Sequence, residues 1–153
     1  MKPATFRRLM NLWPPFLFTG IRVLSIADDW REVRVALRLR PWTRNYVGTQ
    51  YGGHLFSMTD PFWMLMVMHN LGRDYIVWDR SATIDFLAPG REHVYAHFVL
   101  KPAAIDELRR ASAGGDKVLR WFEVDVTTKS GERIAQVRKQ LYVRLKKHLR
   151  DAM

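Results

Sequence analysis

The sequence predicts an α+β domain in which a curved antiparallel sheet of about six strands wraps one long central helix. Three observations predict it. Residues 53–71 read as a helix with apolar side chains on almost every face, which needs burial on all sides. Six other runs, 21–27, 32–40, 75–87, 93–101, 117–128 and 132–145, read as strands. Their order is two strands, the helix, then four strands, and short turns between strands imply antiparallel pairing around the helix.

Each element has a local reason. Phe6, Leu9, Met10 and Trp13 fall at helical spacing, so residues 3–13 predict a short amphipathic helix stopped by Pro14-Pro15. Early positive charge before apolar residues gives this end a slight likeness to an export signal. However, Asn11 and the prolines interrupt the run and no small-x-small cleavage site follows, so a helix docked on the body is expected. Val33, Val35, Leu37 and Leu39 alternate with Glu32, Arg34, Ala36, Arg38 and Arg40, the mark of a half-buried strand, and Asp28-Asp29 supplies the turn before it. Gly72 is a natural stop for the central helix. Pro89-Gly90 closes the third strand, a short helix spans 103–112, and Ser130-Gly131 makes a hairpin into the last strand. There Leu141, Val143 and Leu145 alternate with Tyr142, Arg144 and Lys146.

At 153 residues the chain is expected to form one domain, with residues 1–19 as a helical extension and 20–145 as the core. It has no cysteine, which excludes disulfides and thiolate metal sites and is compatible with a reducing, cytoplasmic setting. The longest strictly apolar run, Phe62 to Met68, is too short to span a bilayer, so no transmembrane segment is expected. The net charge is +10, with 18 arginines and 7 lysines, which favours an anionic partner. The basic residues are dispersed, and no nucleic-acid reading motif, exposed aromatic platform or basic helix accompanies them, so nucleic acid is not the expected partner.

The functional signal concentrates in residues 45–60, N-Y-V-G-T-Q-Y-G-G-H-L-F-S-M-T-D, where a glycine-bearing polar loop runs into the apolar helix. Asn45, the pair Gly52-Gly53 seven residues on, and the acidic Asp60 a further two helical turns in, together with F-L-A-P-G from Phe86 to Gly90, resemble hotdog-fold acyl-CoA thioesterases of the phenylacetic-acid-pathway type. The resemblance covers roughly residues 20–145. It departs from the pattern in having Tyr51 where His is frequent, His54 after the glycines, and Pro61 directly after the acid. It implies a homodimer or a dimer of dimers with the active site at the subunit interface, the helix-start amides coming from one subunit and the acid from the other. The substrate implied is acyl-CoA, with no cofactor.

Thioester hydrolysis places negative charge on the carbonyl oxygen, and unpaired N–H groups at a helix start can receive it. Gly52 and Gly53 have no side chains to block access, although glycines also serve simply to let the chain turn. Asp60, flanked by Met58, Phe62, Trp63 and Met64, is the expected base or nucleophile, its pKa raised by burial. The competing reading is Asp60 as N-cap of a helix beginning at Pro61; between the two lies a helix kinked at Pro61, which would free the Ser57 carbonyl. Asn45 would orient water or bind the carbonyl, or else close an Asx turn. Tyr51, His54, Asp79 and Ser81 are expected to line the site, the last two from an alternating Asp79, Ser81, Thr83, Asp85 row. Arg44, Arg80 and Arg91 are candidates for the coenzyme A phosphates. His69, His93, His97 and His148 lack ligand spacing, so no metal is expected. A hydratase or dehydratase on the same fold, and a non-catalytic acyl or lipid binder, are the alternative functions.

Overall fold

Alternating side chains form six strands: β1 (Ile21–Ile26), β2 (Glu32–Leu37), β3 (Tyr75–Phe86), β4 (Val94–Val99), β5 (Val118–Thr127) and β6 (Arg133–Leu145). The structure, a computed structural model, describes residues 1–146. The strands make one antiparallel sheet in the order β1-β2-β4-β5-β6-β3, which leaves β1 and β3 at its edges. Five helices accompany it: α1 (Pro3–Leu12), α2 (Pro14–Leu17), α3 (Gly52–Ser57), α4 (Phe62–Leu71) and α5 (Pro102–Ser112). His148 lies outside the described residues.

The core forms where α4 meets the inward rows of the sheet. Phe62, Trp63, Met66, Val67 and Leu71 are buried, with Phe62 5.2 Å from Phe98 on β4 and Trp63 stacked at 4.9 Å on Phe122 of β5. Full burial of side chains of this size contributes roughly 1.5–3 kcal/mol each. Gly72 ends α4 at φ 90°, a backbone state that favours glycine, and its N–H donates to the Met68 carbonyl.

The central helix has two notable features. First, the long helix over residues 52–71 is interrupted: α3 stops at Ser57, residues 58–61 form turns, and α4 starts at Phe62. Pro61 has no N–H to continue the ladder and its ring crowds the preceding turn. The chain instead closes tighter turns, Thr59 N–H to the Phe56 carbonyl at 3.0 Å and Asp60 N–H to the Ser57 carbonyl at 3.3 Å. The Ser57 carbonyl is therefore not freed. Second, the one sheet does not enclose the helix completely. Met68 and His69 are exposed and Met64 and Leu65 half-buried, so one apolar side of α4 is left partly open.

The strand β3 carries a bulge. Asp79 pairs with Leu141, but Ser81 pairs with Gln140, so Arg80 is an extra residue. The bulge reverses side-chain parity along the strand. Asp79, Ala82 and Ile84 turn toward the core, whereas Ser81, Thr83 and Asp85 turn outward and are exposed. The single row expected from Asp79 to Asp85 is thus split.

The N-terminal helix α1 is tied to β1 by Asn11. Its Nδ2 donates to the Val23 carbonyl at 3.0 Å, and the Val23 N–H donates back to Oδ1 at 2.8 Å. Phe6 packs edge-on against Trp30 at 5.2 Å, and Trp30 stacks on His69 of α4 at 3.6 Å. Asn11→Ala removes both bonds to β1 and is expected to lower stability by about 1–3 kcal/mol. Urea unfolding with an unchanged m-value checks this.

Candidate functional site

The loop before α3 is built by its own side chains. Asn45 Nδ2 donates to Thr49 Oγ1 at 2.8 Å and to the Gln50 carbonyl at 3.4 Å, and its Oδ1 accepts the Thr49 N–H at 2.9 Å. Both ends of the carboxamide therefore close the loop, as in the turn reading, and neither is left free for a substrate carbonyl. Gln50 then anchors this loop to the sheet. Its N–H donates to the Gly90 carbonyl at 2.8 Å and its Nε2 to the Glu92 carbonyl at 3.0 Å and the Leu37 carbonyl at 3.3 Å. Its Oε1 is buried without a partner.

Tyr51 is the N-cap of α3 and supplies no side-chain acceptor, so the first amides of the helix are uncapped. With six residues, α3 is much shorter than the helix expected, and its N–H groups matter more than any macrodipole. A Cβ at Gly52 would sit 2.9 Å from the Phe86 ring, and one at Gly53 would overlap the Tyr51 ring. Neither glycine has a positive φ; both are needed for space. A groove of about 420 Å³ opens beside the Gly52 end, lined by Asn45, Gln50, Gly52, Leu55, Phe86 and Gly90 among others. His54 sits half-buried against Tyr51 at 4.9 Å, with Nδ1 buried and unpaired. Burial pushes its pKa down, partly offset by the Thr43 carbonyl.

Asp60 lies at the other end of α3, beside a separate cavity of about 280 Å³ lined by Trp13, Pro15, Phe16, Phe56, Ser57 and Pro61. Its surroundings differ from expectation. Its side chain is 58% exposed, so it is not a desolvated carboxylate. Nor is it a helix cap: Pro61 is the N-cap of α4, with no side-chain capping bond. Instead, Asp60 meets Lys139 from β6. The Lys139 ammonium donates to Asp60 Oδ1 at 2.6 Å, to the Asp60 carbonyl at 2.6 Å and to Asp79 Oδ2 at 3.0 Å. The Lys139 side chain is only 2% exposed and that of Asp79 29%. The burial expected at Asp60 falls on Asp79, whose carboxyl pKa is raised by desolvation and only partly lowered again by Lys139. Asp79 Oδ1 is buried without a partner.

Within the chain the expected residues thus divide into two places. Asn45, Tyr51, Gly52, Gly53 and His54 gather at the start of α3; Asp60 and Asp79 gather at Lys139. Ser81 is on the outer face, Arg80 is exposed at the bulge, and Arg91 is exposed next to the Gly90 wall of the groove. Another cavity, about 530 Å³ near Met68, Arg73 and Lys146 at the far end of α4, holds none of them. Sequence reasoning missed Lys139, yet its signal was present. Extended back from Leu141, the alternation puts Lys139 and Val137 in the inward row. Gln50 had no comparable signal.

Comparison with known proteins agrees with this architecture. A family model described as a domain of unknown function, DUF4442, matches residues 3–143. A Pseudomonas aeruginosa protein of unknown function, described as a probable thioesterase, is 18% identical with a TM-score of 0.84, over 95% of this chain and 97% of its own. A Haemophilus influenzae thioesterase is 14% identical with a TM-score of 0.68, over 97% and 95%. Mouse thioesterase superfamily member 2 is 18% identical with a TM-score of 0.64, over 92% and 96%. No curated protein matches the chain. At these identities the likeness establishes the fold, the hotdog arrangement, and not the chemistry.

The raised pKa of Asp79 has a signed consequence. An acid whose folded pKa exceeds its unfolded value favours folding most below the unfolded value, near 3.8, and that contribution is lost as pH rises through the folded value. Urea melts of wild type and Asp79→Asn from acid to neutral pH are expected to show wild type losing stability relative to the variant as pH rises through that window.

Proposed function

The chain belongs to the DUF4442 family, and on that footing we propose that it is an acyl-CoA thioesterase, releasing free acid and coenzyme A. The observation that carries this reading is Asp60: a carboxylate outside both helices, held through one oxygen by a buried ammonium and open to solvent on its other side. The thioesterases among the structures of the same fold add support.

In the proposed reaction Asp60 takes a proton from water as the water oxygen adds to the thioester carbonyl carbon. The carbonyl oxygen gains the negative charge and is received by the uncapped amides at Gly52 and Gly53. The C–S bond then breaks, and the leaving sulfur takes the proton from Asp60. As nucleophile instead, Asp60 would form a mixed anhydride that water hydrolyses. The groove beside Gly52, with Leu55 and Phe86 in its wall, suits an acyl chain or ring. Exposed Arg44, Arg80 and Arg91 suit the coenzyme A phosphates.

Gly52 and Asp60 lie eight positions apart, at opposite ends of α3 and the turn after it, about 12 Å at a helical rise per residue and too far to act on one carbonyl within one chain. A homodimer in which one subunit gives the amides and the other the acid resolves this. The unpaired edge of β3 and the open side of α4 support such pairing.

Thiol release from a panel of alkyl and aryl acyl-CoAs tests the activity, and a folded wild type inactive on all of them overturns it. Water addition to an enoyl thioester without thiol release would indicate a hydratase. Asp60→Asn is expected to lower kcat by about 10²–10⁴ with the circular dichroism spectrum unchanged. Gly52→Val, which pushes the Phe86 ring aside and blocks the amide, should also be inactive. Refolding an equal mixture of the two variants should restore about a quarter of wild-type turnover, since half the dimers carry one intact site of two. No recovery would argue against a shared site.

A further inference from the structure

We propose that Lys139 is the positioning residue of this site: it holds the Asp60 carboxylate in its working orientation, with Asp79 as the half-buried partner that balances it. The inference rests on Asp60 carrying the reaction, as proposed above.

The geometry is that of a clamp. An ammonium has three donors, and all three are used. Two go to the same residue, the backbone carbonyl and Oδ1 of Asp60, each at 2.6 Å. Binding a residue through main chain and side chain together fixes its backbone and its side-chain torsion. The third goes to Asp79 Oδ2 at 3.0 Å. Asp60 needs such a partner, because the chain at this point lies in the turn between α3 and α4. Among the described residues its carbonyl has no backbone donor. With Oδ1 held, Oδ2 is the oxygen left for water or substrate.

Energetics argue against a purely structural role. Lys139 sits in the inward row Val137, Lys139, Leu141, Val143 of β6, with Ala82 and Phe122 as its cross-strand neighbours. Neither neighbour titrates, so Asp60 from the turn and Asp79 from β3 are the ionisable groups facing it. Burying a charge in such a row costs several kcal/mol, and apolar substitutes for buried ion pairs are often neutral or stabilising. A lysine here is a poor device for stability alone. A carboxylate that must stay open to solvent and still hold one orientation has few other supports.

The chain has no cysteine, which permits a clean test. Lys139→Cys, alkylated with 2-bromoethylamine in denaturant and refolded, regains an ammonium at nearly the original reach; the thiolate displaces bromide and forms one C–S bond. The variant before alkylation is expected to lose about 10²-fold in kcat with KM little changed, the cost of a misplaced catalytic group, and alkylation should restore it. Loss of fold is controlled by Lys139→Met/Asp79→Asn, which removes the buried charge and its half-buried partner together. That variant should melt close to wild type and still show the kcat loss. Its crystal structure should show Asp60 in a different rotamer or in several. Full kcat in the folded double variant, or Asp60 unmoved in its crystal structure, overturns the proposal. The crystallographic readout stands even if wild type hydrolyses no acyl-CoA, so failure of the thioesterase reading and failure of the clamp are told apart.

Discussion

A charged nitrogen in the middle of an apolar row must be answered by oxygen, and in this protein that demand organises the centre of the molecule. Lys139 leaves β6 with its side chain pointing inward and only 2% exposed. The sheet answers with Asp79 across the bulged edge strand, and the helical layer answers with Asp60 and its main-chain carbonyl. The bulge at Arg80 and the break at Pro61 then share a physical context. The first separates Asp79 from the outward residues that follow it, and the second brings a carbonyl and a carboxylate out of the helical ladder to the same nitrogen.

The order of strands and the position of the helix were legible because they depend on patterns of period two and 3.6 over many residues. The strand boundaries and the stop at Gly72 fall within a few positions of those read from alternation and turn residues. The irregular points were not legible in the same way. Asp79 and Ser81 alternate perfectly in sequence, and only pairing with β6 reveals that a bulge puts them on opposite faces. Asp60-Pro61 carried two competing local readings, a kinked helix and a helix cap, and the capping geometry was decided against by a lysine 79 positions away. Asn45 was the reverse case: the local turn reading was available from the residue type, and the structure uses the side chain in that way. Long-range polar contacts leave little trace in local spacing, and the one trace here was a lysine out of place in an apolar alternation.

The groove beside α3 shows how much of the site is defined by missing atoms. Gly52 and Gly53 hold ordinary backbone conformations, so they are not there to turn the chain. They leave room for two aromatic rings, Phe86 over one and Tyr51 over the other. The rings are exposed, and that of Phe86 forms a wall of the cleft. Gln50, fully buried beneath, fastens the loop to β2 and to the segment after Gly90 through three hydrogen bonds. The amide end of the site is therefore rigid below and aromatic above, whereas the acid end is held by charge.

The absence of a side-chain acceptor at Tyr51 sets stability and turnover in competition. Routine thermal engineering of this protein would place serine, threonine or aspartate there, since a capping oxygen is worth about 0.5–2 kcal/mol. That oxygen would accept the Gly53 N–H, the second amide of α3. On the proposed mechanism it would occupy the position meant for the charged oxygen of the intermediate, acting as a permanent intramolecular inhibitor. A screen for more heat-resistant variants would then select, at this one position, for a protein that folds better and works less.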